Sequence, residues 1–190
     1  MNRDISIAGG PTFSPPFLVY QALIQEAQSS TVVINDQAGL YDTVLSPSAS
    51  VYLNNLATNG NPSGNYALSN LLSSASGGAS RSVYMPTEPR TTYAFPYLTV
   101  RVPYNIQDPR TPNIRRFYVS VGAWDSPIAG IASVERINRI VSTLFHNNTI
   151  YASNSIQPLF IEVLEEYGPN AVIDYAVYQT VMLRLTLSSP

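Results

Sequence analysis

Between Phe95 and Leu144 the side-chain period changes once, and that change limits what the chain can fold into. From Tyr97 to Val102, the residues Tyr97, Thr99 and Arg101 alternate with Leu98, Val100 and Val102. Successive side chains of a strand point to opposite faces, so this reads as a strand with one buried face. Pro96 and Pro103 bracket it, as prolines do at strand ends rather than in strand centres. A second strand, Ile114 to Trp124, sets Phe117, Val119 and Val121 against Tyr118 and Ser120. Asp125-Ser126-Pro127 then opens a helix that lasts to about Phe145. Its stripe is Ile131, Val134, Ile137, Val141 and Leu144, with Ile140 and Phe145 beside it. A strand pair followed by such a helix buries its apolar faces by laying helix on sheet.

The flanking segments extend the pattern. Residues 158–167 and 172–187 alternate as strands, joined by a turn at Tyr167-Gly168-Pro169-Asn170. Ser14-Pro15-Pro16 starts a helix carrying Phe17, Leu18, Tyr20, Leu23, Ile24 and Ala27, with Ser14 as N-cap. Short strands are expected at residues 31–34 and 82–85, and short helices near Val51–Leu56 and Tyr66–Leu72. The sum is an α+β fold: a four-stranded, mainly antiparallel sheet with helices packed on one face, plus an N-terminal arm and an inserted loop region. A chain of 190 residues suits one domain. Residues 1–13 read as an extended arm, 35–80 as a loop-rich insertion, and 83–187 as the core sheet and helix.

Composition removes most chemistry. There is no Cys, hence no disulfide frame and no thiolate nucleophile. There is no Lys, so no phosphate loop of the Walker type. Gly78-Ala79-Ser80-Arg81-Ser82 begins like a nucleophile elbow but lacks its second Gly. His146 is the only His; it sits at a helix end, where it suits the free carbonyls. The expectation is therefore a non-enzyme with no catalytic residue, cofactor or metal. No run approaches about 20 apolar residues, so no membrane helix is expected. Only 12% of residues are charged, and a charge-poor surface suits a subunit covered by neighbours.

The few charges are unevenly spread. Residues 101–145 hold six Arg against three acids, a balance of +3, and residues 146–190 one Arg against four acids, a balance of −3. Opposite patches allow head-to-tail association and ring closure. The expected assembly elements are the hairpin tip and an acidic cluster. The tip carries Tyr104, Asp108, Arg110, Arg115 and Arg116, with Pro109 and Pro112 keeping it from regular pairing. The cluster is Glu162, Glu165 and Glu166. The tip arginines imply an outside partner, either those acids on a neighbouring subunit or DNA phosphate. Net charge of −2 favours the neighbour.

The order of parts resembles the tail terminator (tail completion, minor tail protein U-like) family of long-tailed bacteriophages. The parts are Val83-Tyr84, the Pro86 to Pro89 loop, Phe95-Pro96-Tyr97-Leu98-Thr99-Val100, Phe117 to Trp124, helix 130–145 and hairpin 158–187. The resemblance implies a structural virion protein, assembled in the host cytoplasm. It would form a ring, usually a hexamer, that ends tail-tube polymerisation and joins tail to neck. Implied partners are further copies of itself, the tail tube protein and a neck or head-closure protein, with passing contact to DNA in the lumen and none to membrane. A head-closure or adaptor protein of the neck is the second structural reading. A small enzyme, binding module or adhesin domain is the reading from another class.

Overall fold

The computed structural model describes residues 4–7, 14–35, 42–45, 65–72, 82–85, 94–103, 105–107, 114–127, 131–152, 158–172 and 176–188. Its elements are β1 (Asp4–Ile7), α1 (Pro15–Gln28), β2 (Val32–Asn35), β3 (Asp42–Leu45), β4 (Asn65–Ala67), α2 (Leu68–Leu71), β5 (Val83–Tyr84) and β6 (Tyr97–Arg101). They continue with β7 (Asn105–Gln107), β8 (Ile114–Asp125), α3 (Ile131–Phe145), β9 (Asn148–Ala152), β10 (Leu159–Val172) and β11 (Ala176–Ser188).

The four-stranded sheet expected from the sequence is corrected. The main sheet is larger, curled like a half-barrel and mixed, with strand order β1-β9-β10-β11-β8-β6-β5. β7 pairs with β8 beyond the end of β6. The expected strands form its centre, and all their pairings are antiparallel. Of the additions, β9 on β10 and β7 on β8 are antiparallel and close in sequence, whereas β1 on β9 and β5 on β6 are parallel. Part of the expected arm is therefore sheet, and Ile7 is fully buried. A four-residue strand has too few side chains to show a period, and its partner lies over 140 residues away in sequence. The expected loop insertion is also corrected in part. β3 and β4 flank β2 in a separate antiparallel sheet; the helix expected near Tyr66–Leu72 is present over Leu68–Leu71, and the residues just before it, 65–67, are strand. The helix expected near Val51–Leu56 lies outside the described residues.

Register explains the core. Leu98 lies opposite Ala123, Val100 opposite Val121, Leu183 opposite Val119, and Leu185 opposite Ile161. All are fully buried. Helix α3 packs on this inner face against β8, β10 and β11. Val134, Ile137, Ile140, Val141, Leu144 and Phe145 are buried there, so the expected stripe is the packed one. The other side of α3 meets β2, and the Arg136 guanidinium lies 3.9 Å from the centroid of the Tyr66 ring. Helix α1 packs along β1, β5, β6, β8 and β9. Its buried stripe is Leu18, Val19, Ala22, Leu23, Glu26 and Ala27, so Phe17, Tyr20 and Ile24 lie at the margin.

Two junctions depart from the sequence reading. α3 ends with Asn147 in the left-handed region (φ 55°). The Asn148 amide donates to the Leu144 carbonyl, so Asn148 rather than His146 supplies the side-chain cap. The expected turn at Tyr167–Asn170 is instead a bulge inside β10. Tyr167 pairs with Thr180 and Asn170 with Tyr178, so β10 carries one extra residue there. Gly168 takes φ 108°, and Pro169 has no N–H to donate, so a gap in the ladder suits both. The antiparallel pairing of β10 with β11 runs on to Val172 opposite Ala176.

Candidate interaction surface

The outer face of the main sheet is organised in rows across the strands. Its first row is aromatic. Tyr97, Trp124 and Tyr178 stand opposite one another on β6, β8 and β11. Tyr97 and Trp124 stack at 5.9 Å and 7°, and Trp124 and Tyr178 at 4.7 Å and 19°. Phe95 stacks on Tyr97, and Tyr84 meets it edge-on. Each such pair contributes about 0.5–1.5 kcal/mol beyond its burial. Both faces of the Trp124 ring are turned toward neighbouring rings along the row.

The second row is Thr99, Gly122, Thr180 and Tyr167. Trp124 Nε1 donates to Thr99 Oγ1 at 3.0 Å, directly over Gly122. A Cβ on Gly122 would lie 2.9 Å from that hydroxyl oxygen and 3.0 Å from the indole nitrogen. The missing side chain is what lets the indole lie across the strand.

The third row is Arg101, Ser120, Met182 and Glu165. Arg101 and Glu165 are exposed, at opposite ends of the row. The fourth is Tyr118, Arg184 and Glu162. Arg184 Nε and Nη2 both donate to Glu162 Oε2, at 2.8 and 2.5 Å. The pair is about 30% exposed, so it is worth up to about 1 kcal/mol.

These positions sort the expected assembly residues. Glu162 is taken by Arg184 of its own chain. Glu166 lies on the helix side of the sheet, opposite Val181, where it is exposed and accepts a hydrogen bond from the Ser142 hydroxyl of α3. Glu165 alone of the three is exposed on the outer face; a bulge at Leu164 shifts the strand by one residue and separates their directions. Arg115 and Arg116 do not lie on an unpaired tip. They belong to β8, paired with Gln107 and Ile106 on one side and Leu187 and Thr186 on the other. Adjacent in a strand, they point to opposite faces. Tyr104, Asp108 and Arg110 lie outside the described residues. Arg101, counted in the basic half but not among the assembly residues, is the basic side chain that shares a row with Glu165.

Among the described residues, no group of three or more His, Cys, Asp or Glu is placed to hold a metal ion, and no helix is long and apolar enough to cross a membrane. Among the described residues, the exposed large apolar side chains are Val102, Phe160, Leu164 and Tyr167, three of them on β10. No protein-family model matches this chain, and no curated protein does either.

Proposed function

We propose that the chain is a structural virion protein, a tail terminator that assembles as a ring at the head-proximal end of a long-tailed phage tail tube. The observation that carries this reading is the contiguity of the parts on which the resemblance rests. β10, β11, β8, β6 and β5 lie side by side in that order, with α3 packed on the inner face of β10, β11 and β8. The 14-residue β10, about 45 Å long, then presents exposed Leu164 and Tyr167 to a neighbour. The ring stops tube growth by covering the last tube layer, and its opposite side receives the neck. Partners are further copies of the chain, the tail tube protein and a neck protein, and DNA passes through the lumen. Assembly takes place in the host cytoplasm.

The test is an image of the particle with this subunit tagged. The expected result is a ring of tags between head and tail tube, and overlong tubes when the gene is deleted. A single copy, or tags at a fibre tip, overturns the reading. Normal tube length with heads left unjoined places the subunit in the neck instead.

A further inference from the structure

We infer that the subunit contact in such an assembly joins the Arg101 end of the outer-face row on one copy to the Glu165 end of the same row on the next. The inference rests on the self-association reading above and goes further by naming the surfaces.

Three observations carry it. Both ends of the row are edges of the sheet. β9 covers β10 only at Leu159–Ile161, so Glu165 lies on a stretch with no strand on that side among the described residues. β5 covers β6 only at Leu98 and Thr99, so Arg101 lies past the end of its cover. Next, both charges are exposed, and neither forms an ion pair among the described residues. The other acids of the strand, Glu162 and Glu166, are engaged within the chain. Finally, the Glu165 end carries exposed apolar surface: Leu164 and Tyr167, 38% and 47% exposed, lie around Glu165, and Tyr167 shares its face. The two ends thus carry opposite charge, which is what a head-to-tail contact needs, and the Glu165 end adds apolar area to be covered.

The edges also limit how the copies join. An uninterrupted edge would template continuous strand pairing and a fibre. Bulges at Leu164 and at Gly168-Pro169 break the β10 ladder on both sides of Glu165. Side chains, with the Arg101 fork on the Glu165 carboxylate, then set the register.

The absence of cysteine makes the test direct. Within one subunit Arg101 and Glu165 are three strand spacings apart, about 14 Å, too far for a disulfide. Oxidation of the double variant Arg101→Cys/Glu165→Cys is therefore expected to give a ladder of covalent multimers ending at the ring, while each single variant gives none. In parallel, Arg101→Glu and Glu165→Arg are each expected to weaken association about tenfold by sedimentation. Mixing the two single variants restores it, which an effect within one subunit cannot do. Wild-type assembly without a ladder or rescue overturns the contact and leaves the ring standing. A ladder that stops at the dimer keeps the contact and overturns the ring. A chain that stays monomeric in every arm overturns both.

Discussion

Two side chains show how single residues hold this fold. Glu26, in the last turn of α1, is 3% exposed, yet its carboxylate is fully used. Oε1 accepts the Thr31 and Val32 backbone N–H groups at 2.6 and 2.7 Å, and Oε2 accepts the Thr31 hydroxyl at 2.7 Å. It thereby fixes the turn from α1 into β2. Next to it, Ser30 Oγ donates to the Glu26 carbonyl and accepts from the Ser69 N–H, which ties in α2. Glu26→Ala strands a buried N–H and is expected to cost about 3 kcal/mol in urea denaturation. Glu26→Gln keeps an acceptor oxygen for the two N–H groups and should cost less than half of that. Gly122 is the second case. Gly122→Ala pushes a methyl against Thr99 Oγ1 and the indole nitrogen, so the Trp124 hydrogen bond has to break or the strand has to shift. The expected loss is about 1–3 kcal/mol. Trp124 is the only tryptophan, so a change in native-state fluorescence reports the displaced ring directly. Neither role is visible in the sequence. Glu26 reads as one more polar helix residue, and Gly122 as a weak point in a strand, until the tertiary partners are in place.

At the scale of elements, legibility follows length. Helix α3 runs four turns with a regular stripe, and the positions read as core are those that pack; the side chain of Ile131 alone lies outside the described set. Ile137 is fully buried, and Ile137→Ala is expected to cost about 2–5 kcal/mol by chemical denaturation with no change in helix content at native conditions. Strands β6, β8 and β11 alternate long enough to reveal their buried face. β1, β7 and β9 have three to five residues each, too few for a period, and gain their structure by pairing, whereas the two-residue β5 falls in the short strand expected at 82–85. β10 failed for a different reason. Its Gly-Pro pair carries the usual marks of a turn, but the β11 and β8 ladders continue past it and hold the strand extended. Local turn chemistry was outweighed by a partner strand 13 residues long.

For the whole molecule, the charge split was legible and its use was not. Counting along the chain gives a basic segment and an acidic segment, whatever the fold. Alternation fixes which residues of a long strand share a face, and helical spacing fixes which side of α3 is apolar. Both follow from backbone geometry, so the sequence alone determined the central strands, the two long helices and the presence of one buried sheet face. Which charges remain for a partner depends on cross-strand register. Pairing of β10 with β11 sets Glu162 against Arg184, the bulge at Leu164 turns Glu165 outward, and Glu166 is left to Ser142. Two adjacent arginines that looked like one patch, Arg115 and Arg116, are divided between faces because they fall in a strand. The number of strands in the sheet, the small second sheet around β2 and the row joining Arg101 to Glu165 were decided by tertiary structure alone. Each depends on contacts between residues far apart in the chain, and such pairings leave no local period to read.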